Sequence, residues 1–133
     1  MFNSPKCWGN NYQGAPGNGE YSNDPNPTPV SVLDLTNAVD IDGGGYFTCA
    51  LLASGGVKCW GMNEQGELGD STFTMKTTAV YVFGMTSGVS AVSAGEFHAC
   101  ARLDTGGARC WGWDLSGQIT AFFQGYPSPV ACN

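Results

Sequence analysis

Apolar and polar positions alternate in short runs along this chain, and clusters of Gly, Asn, Asp, Pro and Ser separate the runs. Pro29-Val30-Ser31-Val32 is one such run, and Ala79-Val80-Tyr81-Val82 and Pro129-Val130-Ala131-Cys132 follow the same pattern. Val39-Asp40-Ile41 and Val89-Ser90-Ala91-Val92 each lead toward a glycine, Gly44 or Gly95. Then come Tyr46-Phe47-Thr48-Cys49-Ala50-Leu51 and Phe97-His98-Ala99-Cys100-Ala101-Arg102-Leu103. A period of two with an apolar face is the signature of a half-buried strand. The Gly and Pro punctuation leaves no long window with a 3.6-residue apolar period, which argues against a helical solenoid.

The runs recur. Cys-Trp-Gly occurs at Cys7-Trp8-Gly9, Cys59-Trp60-Gly61 and Cys110-Trp111-Gly112, 52 and then 51 residues apart. Each copy continues into Gly-x-Asn/Asp-x-x-Gly, at residues 9–14, 61–66 and 112–117, where Gly and Asn or Asp suit a tight reversal. Four strand-like segments per period of about 51 residues match one blade of a β-propeller. A β-sandwich has no reason to repeat once every four strands. The expectation is an all-β fold of β-propeller-type blades, each of four antiparallel strands. About two and a half blades would form a single unit, with copies at 1–58, 59–109 and, truncated, 110–133.

Composition agrees with short strands joined by tight turns: 42% of the 133 residues are hydrophobic, 20 are Gly and only 12% are charged. Eleven acidic against five basic residues give a net charge of −6, which repels phosphate backbones and argues against nucleic acid as a partner. The N-terminal residues carry no basic segment followed by an apolar run, so no signal peptide is expected there. No apolar stretch approaches membrane-spanning length. Asn26-Pro27-Thr28 is disqualified as a glycosylation acceptor by its central proline.

Four of the six cysteines form matched pairs spaced by ten, Cys49 with Cys59 and Cys100 with Cys110. Ser54-Gly55-Gly56 and Thr105-Gly106-Gly107 stand near the two midpoints, so folding each segment as a hairpin sets its cysteines opposite each other. Opposed Cα atoms at a non-hydrogen-bonded position lie about 4.5 Å apart, within disulfide reach. A cross-strand disulfide is expected in each hairpin, worth roughly 2.7 kcal/mol on the chain-entropy estimate. Reduced thiols in a cytosolic core and a metal site are the alternatives, although zinc favours Cys-x-x-Cys spacing and the sole histidine, His98, has no counterpart in the first copy. Disulfides imply an oxidising compartment, extracellular or periplasmic. Cys7 and Cys132 break the pattern; they pair with each other, pair between chains, or stay free.

Residues 49–61, then Asn63, Gly66-Glu67-Leu68-Gly69-Asp70-Ser71-Thr72 and Ala94–Ala101 together resemble a repeat of the regulator-of-chromosome-condensation family in its cysteine-containing bacterial-type form. The likeness covers essentially the whole chain and is sharpest in the second copy. The first and third copies lack Leu-Gly-Asp, carrying the Pro/Gly/Asn-rich Ala15–Thr28 and Ile119–Tyr126 instead, and Phe47 stands where the family's histidine falls. The resemblance implies a propeller of usually seven blades and some 350 residues. A fragment, a homo-oligomer completing a ring, or a minimal array would each reconcile that with three copies, and exposed blade faces would recruit further copies or further repeats.

The connection after Gly-x-Asn-x-x-Gly varies between copies and holds the candidate contact residues Tyr12, Tyr21, Phe73, Phe122, Phe123 and Tyr126. The competing reading places each against a blade face as core. Trp8, Trp60 and Trp111 are assigned to packing between blades. No catalytic, cofactor or metal residues are expected: Ser90 and Ser93 near His98 do not form a nucleophile elbow. Asp40-Ile41-Asp42-Gly43 lacks the later ligands of a calcium loop and reads as a solvated turn. The function expected is a non-enzymatic protein-binding or structural module of an extracellular propeller. A secreted inhibitor like the β-lactamase-inhibiting propellers is the alternative, and nucleotide exchange on a small GTPase a remote one.

Overall fold

The computed structural model describes residues 4–114 and 125–131. Among the described residues the strands run β1 Lys6–Gly9, β2 Asn26–Ser31, β3 Ala38–Gly43, β4 Phe47–Leu52, β5 Val57–Gly61, β6 Lys76–Tyr81, β7 Val89–Ala94, β8 His98–Leu103, β9 Ala108–Trp113 and β10 Gly125–Ala131. A 3₁₀ turn occupies Tyr12–Gly14. Strands β3 to β6 and β7 to β10 form two antiparallel four-stranded sheets in chain order, and β1 pairs with β2 alone. These are propeller blades: two whole ones and the outer half of a third. Each full sheet straddles a Cys-Trp-Gly motif, which sits on its third strand.

The hairpins take the register that the cysteine spacing requires. Cys49 opposes Cys59 within β4–β5, and Cys100 opposes Cys110 within β8–β9. Both pairs are disulfide-bonded, with Cα atoms 4.1 Å apart. Gly55 and Gly106 supply the left-handed residue of each turn, at φ 83° and 96°. Replacing Cys100 and Cys110 together by Ser should lower unfolding free energy by roughly 2.7 kcal/mol. Urea denaturation without reductant measures it, and reduced wild type should lose at least as much.

Alternation along each strand sorts side chains between two buried layers. Phe47, Cys49 and Leu51 point toward the third sheet, where Val89, Val92, Ala99, Ala101 and Trp111 meet them. Ala50 and Leu52 point the other way, toward Val32 and Leu35 beside the half-sheet. The innermost strands of adjacent blades touch, β7 lying against β3 and β4.

Three expectations are corrected. Trp60 and Trp111 are fully buried, but Trp8 is 64% exposed because no repeat covers its side of β1 among the described residues. Tyr126 is on strand β10 opposite Gly112, not on a loop. Asp40 and Asp42 lie on β3, not on a turn, and the Asp42 carboxylate accepts a 2.7 Å hydrogen bond from the Ala94 amide of the next blade. Phe122, Phe123 and Cys132 lie outside the described residues.

Candidate protein-binding surface

The long connection between β5 and β6 is built around one buried asparagine. Asn63 is fully buried, and its amide nitrogen donates to Thr72 O and Thr74 O at 3.0 Å, Asp70 Oδ1 at 3.1 Å and Thr72 Oγ1 at 3.2 Å. Its oxygen accepts from the Leu68 amide at 3.0 Å. Asp70 Oδ1 also takes the Thr72 amide and hydroxyl, and Lys76 lies 3.7 Å from its other oxygen. The Gly-x-Asn-x-x-Gly motif thus folds the connection onto itself and leaves Phe73 exposed at its tip.

The next blade locks this fold in place. Trp111 donates its indole N–H to Glu67 O at 2.8 Å, and Trp60 donates to Ala15 O at 3.0 Å. Gly69 and Gly17 lie beneath these rings at φ 63° and 74°, and a Cβ on either would come within 2.8 Å of its tryptophan. Residues 14–17, Gly-Ala-Pro-Gly, therefore do in the first copy what Gly66-Glu67-Leu68-Gly69 does in the second. One difference matters: Pro16 stands at the Leu68 position and has no N–H, so the buried Asn11 Oδ1 has no partner.

Glu67 is the second buried polar group left incomplete. One carboxylate oxygen accepts the Gln65 amide at 2.9 Å, and the other has no hydrogen bond. Burial pushes its pKa above the usual glutamate range, against the lowering effect of backbone amides at Glu67 and Gln65. A raised folded-state pKa means that the folded form holds the proton more tightly than the unfolded chain. Its stabilising contribution is complete below the unfolded pKa and is lost as pH rises through the folded one. Glu67→Gln should therefore melt higher than wild type at neutral pH and converge with it in acid. Melting curves across that range check this; parallel curves would contradict it.

These rigid supports present exposed aromatics. Tyr12 is 40%, Tyr21 56% and Phe73 52% exposed, all on connections between third and fourth strands. On the same rim, where β1, β5 and β9 end, Tyr12 stacks edge-on against Tyr46 at 5.3 Å and Phe97 against Trp113 at 5.4 Å. Tyr46 and Phe97 hold equivalent places one repeat apart, but their partners do not: Tyr12 comes from the preceding copy and Trp113 from the same blade as Phe97. Sequence reasoning did not single out Tyr46, Phe97 or Trp113, although residues 46 and 97 hold the same place before the second strand. Exposed Glu64 and Glu96 make this rim acidic. Among the described residues no cluster of His, Cys, Asp and Glu could hold a metal ion. Among the same residues no helix is long and apolar enough to cross a membrane.

Stacked four-stranded blades that hold variable aromatic connections on a rim define a propeller-repeat module. Residues 38–67 and 89–118 match the model of the regulator of chromosome condensation (RCC1) repeat, and residues 7–51 match a second model of the same description. Human alsin is 31% identical over 98 residues, covering 74% of this chain and 6% of alsin. The probable E3 ubiquitin-protein ligase HERC3 of Homo sapiens is 32% identical over 114 residues, 84% of this chain and 11% of that protein. Among solved structures, human WBSCR16 superposes with a TM-score of 0.82 at 21% identity over 95% of this chain and 34% of that one. Prp20p of Saccharomyces cerevisiae gives 0.77 at 20% identity, with 96% and 34% covered. The chain belongs to the RCC1 repeat family. It spans about a third of these solved propellers and about a tenth or less of these two sequence relatives.

Proposed function

We propose that this chain is a non-enzymatic protein-binding module of a larger propeller, and that its contact surface is the set of connections bearing Tyr12, Tyr21 and Phe73. The observation that carries this reading is their exposure on loops whose backbones are fixed from below by Asn63 and by Trp60 and Trp111. Aromatic anchors on a rigid frame gain contact area at little entropic cost. Glu20, Asp24 and Glu64 are exposed on the same connections, and with the net charge of −6 they favour a basic surface on the partner. The module works outside the reducing cytosol, a reading supported by the Cys49–Cys59 and Cys100–Cys110 disulfides. Inhibition of another secreted protein is one form that such binding takes.

The triple variant Tyr12→Ala, Tyr21→Ala, Phe73→Ala tests the surface. Used as bait beside wild type against extracytoplasmic proteins, it should fail to retain the partners that wild type retains while melting at the same temperature. Equal retention would rule out these loops as the contact surface.

A further inference from the structure

Two equivalent places in the whole blades are built differently. Lys58 of β5 and Arg109 of β9 stand one repeat apart, each second on its strand. Lys58 faces Tyr81 across the ladder to β6, lies 4.7 Å over the Tyr81 ring and donates to Asp34 O at 2.6 Å. Its charge and the space around it are both taken. Arg109 faces Ala131 of β10 instead, and Gly84 stands where the preceding connection has Asp34. The Arg109 guanidinium has no ion-pair or hydrogen-bond partner among the described residues. A Cβ on Gly56 would meet the Tyr81 ring at 3.1 Å, whereas one on Gly107, the equivalent glycine, would meet only Leu103 at 3.8 Å. The aromatic cover of one blade is absent from the next.

The space so opened is a cavity of about 370 Å³ on the rim where β5 and β9 begin, opposite the aromatic connections. The β6–β7 connection brings Phe83 and Met85 to it, and the third sheet brings Leu103, Arg109 and Pro129. No acidic residue lines it, although the chain carries eleven acidic against five basic residues. An apolar chamber with one cation in its wall selects a ligand with one negative group and an apolar body. The planar guanidinium fork suits a carboxylate, which it holds through two parallel hydrogen bonds. A cavity of about 150 Å³ takes a benzene. The larger volume here leaves room for one ring and a short carboxylate arm.

We propose that this cavity binds a small aromatic monocarboxylate, with Arg109 holding the carboxylate and Phe83, Met85 and Leu103 receiving the ring. The site shares no residue with the surface of Tyr12, Tyr21 and Phe73, so it stands whether or not those loops bind protein.

3-Phenylpropionate titrated into the whole chain is the probe, followed by calorimetry and by the methyl NMR signals of Met85 and Leu103. Binding should saturate at one site and shift both sets of signals. It should be roughly tenfold or more tighter than binding of 3-phenylpropionamide, which lacks the charge, and of propionate, which lacks the ring. Arg109→Gln should bring the affinity down to the level of the amide with no change in melting temperature, because the side chain is exposed and unpaired. Ala131→Tyr should weaken binding by restoring the cover that Tyr81 gives Lys58. Gly84→Asp should weaken it by charge repulsion. The backbone accepts that change, since Asp34 holds the same left-handed conformation, φ 60° against 73°, and a Cβ on Gly84 meets nothing within 4 Å. Equal affinity for acid and amide, undiminished binding by Arg109→Gln, shifts that spare Met85 and Leu103, or a titration that never saturates would overturn the proposal.

Discussion

Trp60→Ala should lower unfolding free energy by about 3–5 kcal/mol, the range for truncating a buried aromatic in a core that collapses only partly. Trp60 is fully shielded, packs with Val32, Leu35, Ala50 and Ala79, and donates to the Ala15 carbonyl. Its loss opens the layer between the half-sheet and the second blade and leaves that carbonyl without its donor. Trp8→Ala, the same residue of the same motif, should change stability by no more than about 0.5 kcal/mol, since its ring is 64% exposed. Urea denaturation of the two variants side by side measures the contrast. Similar costs would mean that Trp8 is covered in solution, as a further repeat packed on that side would cover it.

That contrast shows what a repeat reveals in one dimension and what it hides. The three Cys-Trp-Gly motifs are equivalent as sequence, so nothing local distinguishes Trp8 from Trp60. The difference lies in whether a preceding Gly-x-x-Gly turn is present to receive the indole, a long-range fact. Hairpin register was legible because Cys49, Cys59 and their glycine turn are local and symmetric about one midpoint. The role of Ala15-Pro16-Gly17 was also within reach. Sliding the second copy onto the first by 52 residues sets Gly17 on Gly69 and Pro16 on Leu68, but the absence of Leu-Gly-Asp drew attention to the difference instead. Asp42 was misjudged for a physical reason: an acidic strand residue looks solvated until the amide of another blade is brought to it. Of the candidate contacts, Tyr12, Tyr21 and Phe73 are exposed, while Tyr126 is paired into a sheet because β10 begins at Gly125.

Asn63→Ala should be the other costly substitution, lowering stability by about 3 kcal/mol and loosening the Phe73 connection before the blades separate. Deleting the amide removes the part-buried donor to Thr72 O and Thr74 O and the acceptor of the buried Leu68 amide. Each buried group left unmatched costs about 1–3 kcal/mol, and a small rearrangement that admits water recovers part of the sum. Asn63→Asp separates the hydrogen-bond chemistry from the packing. A carboxylate there keeps the Leu68 contact but sets negative charge against two carbonyls and the Asp70 side chain, which lies 3.1 Å from the present amide. Its folded-state pKa must rise, so the variant should be least stable at neutral pH and regain stability as pH falls and the new carboxyl becomes a donor. Amide exchange over residues 62–75, with melting curves at neutral and acid pH, reads both effects. A pH-independent loss in Asn63→Asp would show that the side chain only fills space and that other contacts hold the connection.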